Sequence, residues 1–401
     1  MYKGSVWMCA LIFCVAVALP RVILAQDKGG IMLGVGHIYP ELELKTLHDD
    51  NLLRAPGREL ETWVGIISPK VTYEIASHKN RFIAEYLLEA GFHENSSIDD
   101  YVDNRLRAEY EYTPTSRIFA AVRSEYFDTH DSRGEFRTEG ATATVVEAEP
   151  DEWHHWAIEG NAAYGAKSAK GRIEADLGYL DKTYDNNRAV TFVRDRDNTY
   201  GAARLFYRIR PKTNVVLEAR ATKFNYDRDA PGSASLDSLG TTILAGVTWE
   251  ATFKTTGFAK IGFVDKDFDS SRRADDDDIA WEAGVEWRPR TYSIFTLETS
   301  SGHLETNGTG DFISHDEIKF GWRHDWRTRI STQVDFTYAE ESFDDITSRE
   351  DEIINAGAHV YYEMRRWLNL GAGYRYDERD SSTNLFDYDR NLFEILANIT
   401  L

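Results

Sequence analysis

Past residue 25 the sequence contains no cysteine, because the chain's two are Cys9 and Cys14. A secreted scaffold stapled by disulfides is therefore excluded. Beyond the N-terminal leader no stretch approaches 18 consecutive apolar residues, so no helix is expected to cross a membrane. Positive charge is in short supply: 46 Lys and Arg stand against 67 Asp and Glu, for a formal net charge of −21. That balance argues against nucleic acid and against anionic lipid heads as partners. Catalytic signatures are missing too. There is no Gly-x-Ser-x-Gly elbow and no His-Glu-x-x-His, and the adjacent His154 and His155 would point to opposite faces of a strand. No enzyme activity, no metal site and no cofactor are expected.

What is present begins with a leader. Lys3 supplies a positive end, Val6 to Leu19 is apolar, and Ile23-Leu24-Ala25 offers a small residue for cleavage before Gln26. Residues 1–25 therefore read as a secretory signal peptide, too short to anchor as a helix. Neither cysteine marks a lipoprotein, since the preceding Met8 and Phe13 are large. Residues 26–401 are expected to form one domain, and at 42% hydrophobic and 28% charged the chain is not disordered.

The periodicity of that domain is two. Phe82, Ala84, Tyr86, Leu88, Ala90 and Phe92 share one face of a strand whose other face carries Glu85 and Glu89. The pattern recurs in Leu106, Ala108, Tyr110 and Tyr112, opposed by Arg105, Arg107, Glu109 and Glu111. Eighteen such runs follow one another from near residue 42 to near residue 396, those near 42, 121, 261 and 297 alternating less strictly. Most are about 10 residues long, the span of a tilted strand across a bilayer.

The connections alternate between two kinds. One is short and basic, as in Ser77-His78-Lys79-Asn80 and Arg288-Pro289-Arg290-Thr291; the other is long and acidic, as in Asp128 to Asp151, Asp265 to Asp278 and Glu341 to Glu352. This is the asymmetry of short periplasmic turns and long extracellular loops. The fold class expected is all-β, a transmembrane antiparallel up-and-down barrel of 16–18 strands, best read as 18. Soluble sandwiches and propellers also contain many short strands. Against them stand the unbroken alternation, both signs of charge on nearly every polar face, and aromatics at strand ends such as Trp249, Trp287, Trp322, Tyr338, Tyr362 and Tyr376.

An interior lined with charge is not a dry core, because unpaired buried ions cost several kcal/mol each. A barrel of this size is expected to hold water. Strand parity assigns the lumen Arg105, Arg107, Glu109, Glu111, Arg204, Arg208, Glu218, Arg220, Glu282, Lys319, Arg323 and Asp335. Each of these also suits a second role, as a rung in a cross-strand ladder that stiffens the wall. Asp265-x-Asp267-x-Asp269 has the spacing of hard oxygen ligands for calcium, but Ser270 stands at the position that needs Gly and a solvated loop is the simpler reading. The centre of the longest loop, Ala141 to Val146, is apolar enough for an extra hairpin, standing outside or folded into the pore.

Several phrases carry a family resemblance. Asp49-Asp50-Asn51-Leu52-Leu53-Arg54 follows the first strand and Ile67-Ser68-Pro69 lies in the second. Tyr110-Glu111-Tyr112-Thr113-Pro114-Thr115-Ser116, Tyr207-Arg208-Ile209-Arg210-Pro211-Lys212-Thr213 and Trp287-Arg288-Pro289-Arg290-Thr291 repeat a strand-end and turn phrase. Together they resemble the putative beta-barrel porin 2 family, bacterial outer-membrane proteins often encoded with exopolysaccharide machinery. The chain departs from the usual outer-membrane tail at Leu401, where an aromatic residue is usual.

The resemblance implies an outer-membrane channel that lets a secreted exopolysaccharide cross. Its implied partners are outer-membrane lipid and lipopolysaccharide, the polysaccharide, periplasmic export components and the barrel-assembly machinery. A passive porin for small solutes, or a non-conducting receptor or adhesin working through its acidic loops, would use the same barrel.

Overall fold

The computed structural model describes residues 30–57, 59–140, 149–252, 254–306, 310–344 and 348–400. The leader at 1–25, the Ala141 to Val146 segment and Leu401 lie outside the described residues. The strands are β1 (Ile31–Leu33), β2 (Gly36–Asp49), β3 (Thr62–Ala76), β4 (Asn80–His93), β5 (Tyr101–Thr115), β6 (Ile118–Asp131), β7 (Asp151–Tyr164), β8 (Gly171–Tyr184), β9 (Arg196–Arg210) and β10 (Thr213–Tyr226). They continue as β11 (Ser238–Thr252), β12 (Thr255–Phe268), β13 (Asp276–Arg290), β14 (Ser293–Glu305), β15 (Phe312–Arg327), β16 (Ile330–Phe343), β17 (Glu350–Arg365), β18 (Leu368–Ser381) and β19 (Tyr388–Thr400).

From β2 to β19 each strand pairs antiparallel with the next, and β19 returns to β2 through Leu392↔Asp49 to Thr400↔Glu41. The result is a closed barrel of 18 strands, the expected fold class. Closure matters in lipid because backbone groups there have no water to bond, so an open edge is not tolerated. β19 ends opposite Glu41, and β1 covers the start of that edge of β2 by pairing Ile31↔Ile38 to Leu33↔Gly36.

Alternation decides which way each side chain points. Leu177 on β8 is 70% exposed and Phe263 on β12 67%, while the inward Glu218 on β10 is 1% exposed. Apolar side chains are outside and charged ones inside, the inverse of a soluble protein. Trp249, Trp287 and Tyr362 lie on the outward face toward the short turns, and Tyr338 and Tyr376 toward the loops, as two aromatic girdles require.

The eighteen barrel strands, β2 to β19, run 13–16 residues, longer than the alternation suggested. Ladder bonds use only the backbone, so pairing continues past the lipid band into charged sequence. Asp265 and Asp267, read as loop, belong to β12, with Asp265 opposite Asp277 of β13. The long connections shrink accordingly: the one after β6 is 132–150, and that after β16 is 344–349.

The outward face has a direct test. Ile261 sits midway along β12 and is 62% exposed. Ile261→Arg is expected to cost about 2–4 kcal/mol if the site is at the bilayer centre. Ile261→Val should leave unfolding in lipid vesicles nearly unchanged, and equal urea midpoints for the two variants would refute the lipid-facing assignment.

Candidate functional site: the charged interior and outer mouth

The inner wall is an ion-paired surface. On β5, Arg107 meets Glu109 at 2.5 Å, and Arg123 of β6 reaches the same Glu109 carboxylate at 3.4 Å. Glu111 lies 3.9 Å from Arg81 of β4, and the Arg105 guanidinium stacks 4.3 Å from the Phe127 ring. The densest part spans β8 to β13. Glu218 accepts from Arg204 at 3.0 Å, Arg220 at 2.7 Å and Lys260 at 2.8 Å. Arg204 continues to Asp176 at 2.6 Å, and Arg220 to Glu282 at 2.5 Å, which Lys260 also pairs. Each ion there has opposite charges around it, which is what allows burial.

Of the residues assigned to the lumen from parity, Arg204, Glu218, Arg220 and Glu282 meet in this network. Arg105, Arg107, Glu109 and Glu111 line the same face of β5. Arg208 donates to the Ser168 carbonyl at 2.5 Å and to that of Lys167, so it staples a short turn. Lys319 pairs Glu317 at 2.6 Å, and Arg323, with a half-exposed side chain, lies 3.5 Å from Asp325. Asp335 sits opposite Gly357, whose missing side chain makes room for its carboxylate.

Sequence reasoning missed Lys260, which lies in one of the weaker runs; extending strict parity from Ile261 and Phe263, which face outward, would have found it. It also missed a cluster at the loop end of the barrel. Arg349, 1% exposed, pairs Asp351 at 2.8 Å through Nε and Glu139 at 2.8 Å through a terminal nitrogen. Its guanidinium lies 3.8 Å from the Phe386 ring and 4.3 Å from that of Phe343. Arg379 holds the other Glu139 oxygen at 3.0 Å, and Arg390 bonds Asp49 at 2.9 Å across the seam. Asp351 is two residues from Arg349, but no local signal points to Glu139 or to the Arg390–Asp49 pair.

Glu139 comes from far away. The connection after β6 crosses toward inward-facing Arg379 on β18, six strands along the wall through β2. Its described part is tied down in stages. Arg133 bonds Asp99 at 2.7 Å and Ser96 at 2.8 Å, Glu135 pairs Arg54 at 2.7 Å, and Arg137 grips Asp151 with two bonds of 2.8 and 2.6 Å. The Asp151 bonds hold the Arg137 guanidinium above its ordinary pKa. Gly134, at φ 83°, is where the strap passes the Leu53 carbonyl, and any Cβ would collide with it. The strap is thus folded into the mouth as far as Gly140, which packs against Leu385 and Phe386.

Outside, above the girdle, acids face acids. Asp181 stands opposite Asp197, Asp265 opposite Asp277, Asp316 opposite Glu340, and Glu340 opposite Glu352. Like charges paired directly across strands repel. Burial, and then Asp195, Asp181 and Asp197, raise the pKa of Asp227 in the following loop. Among the described residues no group of three or more His, Cys, Asp or Glu is arranged to hold a metal ion.

The family described as Putative beta-barrel porin 2 matches residues 25–400. No curated protein matches the sequence. Among solved structures, OccK2 (OpdF) of Pseudomonas aeruginosa is similar with a TM-score of 0.51 at 10% identity, over 91% of this chain and 98% of that one. The FrpB iron transporter of Neisseria meningitidis is similar with a TM-score of 0.50 at 9% identity, over 89% of this chain and 64% of that one. At these identities the likeness is one of fold, that of bacterial outer-membrane barrels.

Proposed function

Because the chain belongs to the putative beta-barrel porin 2 family, we propose that this porin-like barrel is an outer-membrane channel, exported by its leader, and serves as a conduit for a secreted exopolysaccharide. One observation supports the channel above others: the inner face carries charge of both signs in most strands, already paired along the wall. Paired charges offer a sliding polymer many weak contacts and no deep trap, as conduction requires. The inward residues from Arg105 on β5 to Asp335 on β16 act in this reading as a ring, with the solute meeting the set and no single member. The polymer itself follows from the family resemblance. Lipid and lipopolysaccharide surround the wall, the assembly machinery inserts it, and periplasmic export components deliver the chain.

A passive porin for small solutes is the second reading, favoured by the strap that narrows the mouth at Glu139. The test combines two measurements. Purified protein in planar bilayers should conduct ions, and deletion of the gene should abolish secreted polymer while its synthesis continues. Conductance with normal secretion would leave the passive porin; no conductance would overturn both readings.

A further inference from the structure

The strap ends on a carboxylate held by two guanidiniums, and the charges there do not divide evenly. Arg349 holds Asp351 through two bonds in which Glu139 takes no part. Arg379 has Asp351 only at 3.5 Å and Glu139 at 3.0 Å. Glu139 and Asp351 are the carboxylates that pair with the two guanidiniums, with Glu341 also acting on Arg379, so withdrawing Glu139 leaves Arg379 without its closest counter-charge on a buried, inward-facing surface. An uncompensated buried ion costs several kcal/mol, so the strap leaves readily only if another anion replaces it.

The site left behind is already built. Arg349 is fixed between the Phe386 and Phe343 rings, and the Tyr388 ring lies 5.5 Å from the Arg379 guanidinium. Ser381 donates to Asp351 at 2.6 Å and holds it on Arg349. A planar carboxylate is the group that a guanidinium fork takes best. Glu139 occupies this place from the strap, beside Gly140 at φ 77°.

We propose that Glu139 is a tethered stand-in for a carboxylate of the transported chain, and that a polymer of uronate type displaces it from Arg349 and Arg379 to free the outer mouth. The inference rests on the exopolysaccharide reading and names the acidic class of polymer it would serve. The strap is then an exit latch: a neutral chain lacks the group that releases it, and an acidic one carries its own key.

Thr138, next to Glu139 and 3% exposed, supplies the probe. Cys9 and Cys14 are changed to serine, and Thr138→Cys is labelled with a maleimide in the folded full-length protein. Labelling should be slow, should quicken at least tenfold when Glu139→Gln is added, and should quicken similarly with oligogalacturonate but not with a dextran oligomer of equal length. Glu139→Asp, which keeps a carboxylate, should stay responsive and shows that the site rather than misfolding is being read. Unchanged labelling with oligogalacturonate, or an equal response to dextran, overturns the proposal. Conductance without an oligogalacturonate response sinks the latch alone; a response in a barrel that does not conduct sinks the channel and spares the acid-binding site.

Discussion

A Glu218→Ala barrel unfolds at a clearly lower urea concentration than the native one, by the equivalent of about 3–5 kcal/mol, the cost of stripping one partner from a buried ion cluster. Glu218 is the shared anion of Arg204, Arg220 and Lys260, and it is 1% exposed. Without it, Arg204 keeps Asp176 and, at 3.6 Å, Glu174, while Arg220 and Lys260 are left to share Glu282. Glu218→Gln keeps the shape and one acceptor and should cost less. In the double variant Glu218→Ala with Lys260→Ala one surplus cation is gone, so the losses should be far from additive. Tryptophan fluorescence in lipid vesicles reads all of these. A single-variant shift below about 1 kcal/mol would mean that water screens the cluster and that the interior is not packed as described.

Removing residues 388–401 should abolish the barrel altogether. β19 is the strand through which the wall closes, pairing with β18 on one side and with β2 from Leu392↔Asp49 to Thr400↔Glu41 on the other. Its loss exposes two long edges to lipid, where each unsatisfied backbone group costs several kcal/mol. No heat-modifiable folded band should form, and the chain should be degraded in cells. Arg390→Ala keeps the ladder and removes only the buried partner of Asp49 across the same seam. It should still assemble, with reduced stability. A truncated chain that folded and conducted would show that the closing strand is dispensable.

Period-two alternation made the architecture legible because lipid enforces it: one misplaced charge on the outer face is expensive, so Leu106, Tyr110, Leu177 and Ile261 have little freedom. Strand ends were less legible. Asp265 and Asp267 look like loop, yet the backbone pairs beneath them regardless of side chain. The interior could be read by parity but not by partner. That Glu218 faces Arg204 is a matter of register, which follows from how β9 and β10 are joined. That Arg208 serves the turn carbonyls of Lys167 and Ser168 depends on reach along the wall. The contact of Glu139 with Arg349 and Arg379 spans more than 200 residues of chain and has no local trace at all.

The opposed acids above the girdle bear on how such barrels share a membrane. Rows such as Asp316, Glu340 and Glu352 look outward from the wall, so two copies moving together within a leaflet bring like charge to like charge before their apolar bands touch. At physiological salt that repulsion is felt over about 8 Å and is stronger in dilute media. The rim therefore works as a bumper that keeps neighbours apart, and the crowding of the molecules in the plane becomes a quantity set by the ions around the acidic rim.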